Sequence, residues 1–454
     1  MTALSLFNAR INNIYNIIND IGESDRSYYM FLGKADAWSD SISVDTDTIP
    51  TPSPVKTLSY EQLIRQNMLS ISKISQSRAS FGIRRYNWSS GSVYVGWDSN
   101  DPDIFTKQFY VVTSSNKVYK CIRTGPTTSQ IEPTQTEISP QLEADGYMWK
   151  YMYTLDSLQS SNFVTPSHFA VKTVNLQEGQ TIGDLTDEDQ FKYNRQVNSE
   201  VDKGKIYVIK VISGGTGYTN ATVEISGNGQ GCTATAVIDS TTGTITSINV
   251  TSVGSNYSIS DVVITGDGTG AKAYAILSPH KGHGTDPVRE LGANFLLLST
   301  SLQGDESGNL VVGDDYRQVG IIKNPKLRLS DAVATEEHIR IVRGLKMNNH
   351  TGPFISSSIG TVITGSTSGA KAFAVQYDSA AGIVYYSQNE KTGFKSFQIS
   401  EQITSSDSTS EGEVSEMILP SVDIDAGQII LIDNKQPSTR SAEQLENYTI
   451  VIQF

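Results

Sequence analysis

The sequence predicts a mainly β chain of α+β type, a multi-domain sandwich- or barrel-like scaffold. It has an N-terminal helix, a second helix and two inserted glycine-turn β modules. Three observations lead there. In 454 residues the hydrophobic fraction is only 37% while 37 glycines punctuate the chain, a balance suited to short strands joined by polar turns. From Phe81 to Thr173 the pattern alternates and is aromatic, as in GSVYVGW, KQFYVV, KVYKCI and YMWKYMYTL, which reads as strands between Asp, Asn, Pro and Gly clusters. A glycine-rich string occurs three times, as VVITGDGTGAKAYAIL at 262–277, TVITGSTSGAKAFAVQ at 361–376 and, more loosely, TVEISGNGQGCTATAV at 222–237.

Residues 2–22 read as a helix. Leu4, Phe7, Ile11, Ile14, Ile18 and Ile21 make a heptad-spaced seam and Gly22 supplies the stop. The seam either docks on its own domain or is shared with another copy, and the second reading makes Leu4, Phe7 and Ile11 interface candidates. TIPTPSPV at 48–55 carries three prolines and must be extended. A second helix is expected after it, with Ser59 and Gln62 spaced as a capping box and Leu63, Ile64, Met68, Ile71 and Ile74 on its apolar face.

The glycine strings raise the possibility of a phosphate cradle. A P-loop needs Gly, four residues, then Gly-Lys-Ser/Thr, so that backbone amides, lysine and hydroxyl meet one phosphate chain. Here Gly270 is followed by Ala271, Lys272 and Ala273, and the copy at 217–237 has no lysine. No helix-forming run follows, so the dinucleotide fingerprint fails as well. Instead, 217–237 and 256–276 align without gaps: Tyr218 with Tyr257, Ile225 with Ile264, and Gly227, Gly229 and Gly231 with Gly266, Gly268 and Gly270. That is a repeated strand, glycine turn and strand, with glycines expected to supply positive φ. Ala271, Ala273 and Ala275 fall on one strand face, which would let another layer approach closely.

Other constellations carry little chemistry. His280 and His283 lie three apart in SPHKGHGTDP, and a metal there would need a third ligand such as Asp286; solvated loop histidines are the simpler reading. WDSNDPDIF offers Asp98, Asn100, Asp101 and Asp103, but Pro102 occupies a ligand position of an EF-hand loop. GSTSG at 365–369 has Thr367 where a nucleophile elbow needs serine. No enzyme activity and no cofactor are expected. A net charge of -13 without a basic stripe argues against nucleic-acid binding. Cys121 and Cys232 are too far apart for a disulfide framework and are expected as buried thiols of a cytoplasmically assembled protein. No apolar run reaches the roughly 20 residues of a membrane span, and no secretory signal is read, so a soluble, unexported chain is expected.

Several ordered segments carry a resemblance. They are NDIG (Asn19–Gly22), GKADAWS with Gly33, Lys34, Asp36, Trp38 and Ser39, and IRRYNW with Arg84, Arg85 and Trp88. VYKC (Val118–Cys121) and ADGYMWKYMYTL with Asp145, Gly146, Tyr147, Trp149 and Tyr151 follow. YRQVGIIKNP (Tyr316–Pro325), GQIILIDNKQP (Gly427–Pro437) and the terminal YTIVIQF (Tyr448–Phe454) complete the series. In this order they resemble the baseplate wedge subunits that are the gene-eight products of T-even-type contractile-tailed bacteriophages. About 200 residues are covered. The segments 205–280 and 346–416 have no counterpart in the shorter family members; they look like inserted β modules of a cyanophage-type version.

The resemblance implies a non-enzymatic homodimer in the virion tail baseplate, assembled in the host cytoplasm. It would join wedge subunits resembling the gene-six, gene-seven and gene-ten products and take part in rearrangement on contraction. It also implies scaffold at 81–204, 281–345 and 417–454, with a helical and extended region at 1–80. Aromatic and Arg anchors dominate large interfaces, which makes Trp38, Arg84, Arg85, Trp88, Trp97, Trp149 and Tyr316 interface candidates, against the alternative that they fill cores. A receptor- or glycan-binding tail adhesin or fibre connector, with aromatic-lined clefts on the inserted modules, is the competing function.

Overall fold

A computed structural model describes residues 3–38, 49, 58–171, 173–174, 181–279, 281–302, 315–336, 338–354, 361–406, 409–439 and 446–454. Apart from Ile49, the proline-rich segment 48–55 lies outside them. With 46% strand and 15% helix, the protein is mainly β, as its glycine-punctuated alternation predicts. It divides into two compact units. One takes the chain up to Ile14, Ser80–Leu297 and Val451–Phe454, and the other takes Tyr15–Ala79 and Leu298–Ile450.

The first helix runs Ala3–Gly22. Ile11, Ile14 and Ile21 are buried and Phe7 and Ile18 half-buried within the chain. The second helix is Leu58–Asn67, which puts Ser59 inside the first turn rather than at its cap. Met68 and Ile71 belong to a strand, Met68–Lys73, not to the helical face expected for them. Its first five residues are all buried; a helical stripe buries one side only, whereas a central strand buries both. Among the described residues three further helices lie beyond the two expected, Ser157–Phe163, Asp187–Asn198 and the single turn Pro287–Glu290. The first carries a capping box between Asp156 and Gln159 that is written plainly in DSLQ.

In the second unit a five-stranded sheet runs His338–Ile339, Met68–Lys73, Tyr28–Gly33, Asp315–Lys323, Gln428–Thr439. All six residues of Tyr28–Gly33 are buried. Phe31 faces Gly320 across the ladder, and a Cβ on Gly320 would meet the Phe31 ring at 2.3 Å. The same unit holds a closed six-stranded barrel from Arg343–Thr351 to Glu411–Ile418. Ala370, Ala372 and Ala374 line its interior with Leu345, Phe354, Val384 and Phe397; small side chains suit so narrow a barrel. Its GSTSG turn is held by buried Glu401, whose carboxylate accepts from the backbone N–H of Thr367 (3.2 Å) and Ser368 (2.9 Å).

In the first unit, Tyr110–Val112, Lys117–Arg123, Met148–Thr154 and Gln141–Leu142 form a four-stranded sheet over an aromatic core of Tyr94, Tyr119, Tyr147, Trp149 and Tyr151. The repeat occupies six strands in the order Ser260–Gly266, Ala221–Gly227, Gln230–Asp239, Thr244–Ser255, Ile206–Thr216, Thr269–Leu277. The first and last strands of that order are joined by Asp267 and Gly268 alone, so the sheet wraps round on itself.

The two copies interlock with two-fold pseudosymmetry. A Cβ on Gly229 would lie 2.3 Å from the ring of Tyr257, and one on Gly268 would lie 2.5 Å from the ring of Tyr218. Asn228 accepts from Ser258 N and Ile259 N, and its counterpart Asp267 accepts from Thr219 N and Asn220 N. Each glycine triplet is therefore a seat for the tyrosine of the other copy. Left-handed φ is adopted by the third glycines, Gly231 at 78° and Gly270 at 84°; the middle glycines are required for space instead. The alanine row does not admit another layer, because Ala271, Ala273 and Ala275 pack on the module's own core with Ala234 and Ala236.

Gly268→Ala should lower the stability of residues 206–277 by about 1–3 kcal/mol, since ring and backbone crowd the site and cannot retreat together. Gly183, whose Cβ would have only Thr181 Oγ1 near it at 3.6 Å, should tolerate alanine within about 0.5 kcal/mol. Hydrogen exchange resolved by peptide checks both: faster exchange in 206–277 for the first variant, none for the second.

Candidate functional site

Within each unit some of the resemblance segments pair with one another. In the second unit, Gly33 pairs with Gln318, and Gln318 pairs with Asn434, so three distant motifs form adjacent strands. The loop after Gly33 is tied down residue by residue. Buried Asp36 binds Lys34 Nζ (2.6 Å), Lys391 Nζ (2.9 Å) and Asn389 Nδ2 (2.9 Å). Arg317 donates to Ala35 O at 2.5 Å and Trp38 Nε1 to Lys435 O at 3.1 Å. Burial is the largest influence on Lys34 and pushes its pKa down, with the Asp36 charge opposing it. The Gly-Lys-x-Asp-x-Trp pattern is thus a joint that fastens a loop to the sheet and to the segment after a barrel strand.

In the first unit, Cys121 pairs with Trp149, which joins VYKC to YMWKYMYTL. Asp145 accepts from Gln130 N (2.8 Å), Ile131 N (3.1 Å), Ser129 Oγ (3.2 Å) and Tyr147 N (3.2 Å). Burial pushes its carboxyl up, but these bonds outweigh it and leave the pKa below the usual value. Gly146 makes the turn with φ at 88°.

The interface candidates fall mostly on cores. Ile11, Trp97, Trp149 and Tyr316 are buried within the chain, the placement of side chains that fill cores. Phe7 stacks on Phe105 with ring centroids 4.8 Å apart. Trp88 donates to Ser129 Oγ at 3.2 Å, and Arg85 to Thr165 O at 3.1 Å and Asn87 Oδ1 at 2.9 Å. Trp38 is half-buried. Leu4's side chain lies outside the described residues. Among the described candidate side chains Arg84 alone is exposed. Of the tyrosines in the repeat, Tyr218 and Tyr257 are buried under its glycines and Tyr274 is half-buried.

What sequence reasoning passed over is a buried cluster of charges. Lys120 and Lys150 lie directly opposite each other on adjacent strands, 0% and 1% exposed. Lys120 pairs with Glu290, and Lys150 with Asp202 at 3.3 Å. Asp202 also accepts from Tyr207 OH (2.8 Å), Ser139 Oγ (3.0 Å) and Lys205 Nζ (3.2 Å). Glu290 accepts from Gly284 N at 2.8 Å and Asp286 N at 3.1 Å. Burial pushes Lys120 down and Lys150 down to about 8, with their carboxylates opposing. The available signal was a lysine at the centre of KVYKCI and of YMWKYMYTL, runs apolar on both faces.

His283 belongs to the same region. It is buried, its ring meets Trp97 edge-on at 5.3 Å, and burial first, then Lys120 and Lys150, hold its pKa well below the ordinary value. A solvated loop histidine is therefore not what His283 is; His280 lies outside the described residues. Among the described residues no group of three or more His, Cys, Asp or Glu is placed to hold a metal ion. Asp98 binds Tyr274 OH at 2.5 Å and Lys210 Nζ at 3.3 Å, so it fastens the repeat to the loop before it. A cleft of about 700 Å³ lies there, lined by Asp98, Arg123, Tyr207 and Lys210. In the second unit a cavity of about 370 Å³ is lined by Arg65, Arg343, Tyr386 and Phe394, and Arg65 donates to the carbonyls of Ile424, Ala426 and Gly427. Both cysteines are buried and unbridged. Among the described residues no helix is long and apolar enough to cross a membrane. No protein-family model matches the chain, and no curated protein matches it.

A histidine whose folded pKa is depressed takes up its proton more readily when unfolded. Its contribution is intact above the unfolded value of about 6.5 and declines as pH falls below it. Urea unfolding of the first unit between pH 7 and 5 should therefore show falling stability, and His283→Phe should flatten that slope. His168, whose pKa burial and then Arg84 also lower, contributes to the slope in both proteins, so the difference between them isolates His283.

Proposed function

We propose that the chain is a structural subunit of the baseplate wedge of a contractile-tailed bacteriophage. It acts as a homodimer that joins wedge proteins resembling the gene-six, gene-seven and gene-ten products. The observation that carries this reading is the ordered series of family-like motifs from NDIG to the terminal YTIVIQF. Their pairing supports it: motifs as distant in sequence as Gly33 and Asn434, with Gln318 between them, share one sheet, as strands of a single ancestral scaffold would. Work of this kind is done by surface complementarity, and permanent joints bury on the order of 2,000 Å² or more. The acidic balance keeps a subunit soluble before docking.

Light scattering tests the proposal. The purified chain alone should have twice its sequence mass, and mixtures with wedge subunits of the three resembled classes should give discrete larger complexes. A monomer that joins none of them rules the reading out. Arg84→Ala should weaken such joining about tenfold or more if Arg84 is an anchor, with thermal unfolding unchanged; unaltered binding removes Arg84 from the interface.

A further inference from the structure

We propose that Lys150 and Asp202 condense into an intramolecular isopeptide bond, a covalent stitch between the aromatic sheet and the segment that opens the glycine-repeat module. The two side chains are 2% and 0% exposed, and Lys150 Nζ lies 3.3 Å from Asp202 Oδ2. The carboxylate is divided in its roles. Oδ2 faces the amine. Oδ1 is held by Tyr207 OH, Ser139 Oγ and Lys205 Nζ at 2.8, 3.0 and 3.2 Å. Three donors on one oxygen are what a tetrahedral intermediate needs, because the charge develops there. Lys150 Nζ also donates to Ile138 O, which fixes the amine in place.

Nucleophilic attack requires an amine without its extra proton. Burial is the largest influence on Lys150 and lowers its pKa to about 8, Asp202 opposes it, and the cross-strand charge of Lys120 lowers it further. A minor but continuously renewed fraction is therefore neutral near pH 7.

The step balances without a co-reactant. The ammonium passes one proton to Oδ2, and the neutral Nζ attacks Cγ. A C–N bond forms, Oδ2 takes a second proton from nitrogen, the Cγ–Oδ2 bond breaks, and one water leaves. An ammonium and a carboxylate become a neutral amide, so the reaction also removes two charges from a site where desolvating them is expensive. Fixed proximity replaces the entropy cost of bringing two reactants together. Glu290, on Lys120, supplies the counter-charge that the second lysine still needs. The stitch would tie Asp202, four residues before the first strand of the repeat at Ile206, to the strand Met148–Thr154.

Intact mass spectrometry of the purified, denatured full-length chain tests this. The expected mass is about 18 Da below the sequence mass, one water, with a branched peptide joining Lys150 to Asp202 after proteolysis. Asp202→Asn should instead lose ammonia, about 17 Da, and Lys150→Arg should have its full sequence mass. A wild-type chain at full mass, a deficit that maps to other residues, or a deficit that survives in Lys150→Arg overturns the proposal.

Discussion

The constraint on which this fold rests is that its central strands are buried on both faces and paired on both edges by chain far away. Tyr28–Gly33 has no exposed residue, and its partners are Met68–Lys73 on one side and Asp315–Lys323 on the other. A buried backbone N–H or C=O left unpaired costs as much as a lost hydrogen bond. The strand therefore has no stable place until residue 323 is in position. Long-range pairing of this kind makes folding slow, and it gives the polar loops around the sheet their tasks. Asp36, Arg317 and Trp38 secure the chain where it leaves the strands.

Between those distant partners the chain builds bodies whose pairing is local. The repeat at 206–277 and the barrel at 343–418 each form their own sheet and their own core. Similar strings serve the two bodies differently. In the repeat a glycine is the floor beneath a tyrosine of the other copy; in the barrel the turn is organised by a buried carboxylate. Burial pushes Glu401 up in pKa, but the hydrogen bonds from Ser368, Gln398 and Thr367 prevail and leave it below the ordinary value. Alanines face inward in both, because closely curved sheets leave little room.

Buried charge is the costly element of the design. Lys120 and Lys150 stand side by side in a sheet whose other buried side chains are mainly aromatic and aliphatic. Like charges across a ladder repel, and removing either from water costs several kcal/mol before pairing. Asp202 and Glu290 come from segments beyond the sheet and neutralise them. An arrangement of this kind selects one docking position for those segments, since a small slip would leave a charge unpaired in an apolar interior.

Composition, the alternation of 81–173 and the glycine triplets determined the β class, and the ungapped alignment of 217–237 with 256–276 determined that a structural unit is repeated. These are local or periodic properties and need no partner to be read. The heptad seam of the first helix was legible for the same reason. Met68 and Ile71 were not: a spacing of three fits a helix face, and only burial of both faces in a sheet between Tyr28–Gly33 and His338–Ile339 makes the segment a strand. Tertiary structure alone decided that the middle glycines seat tyrosines, that Trp97 and Trp149 fill cores, and that two lysines meet two carboxylates in the interior. Each depends on which distant residue arrives within a few ångströms, and burial and charge pairing are properties of that meeting rather than of either residue by itself.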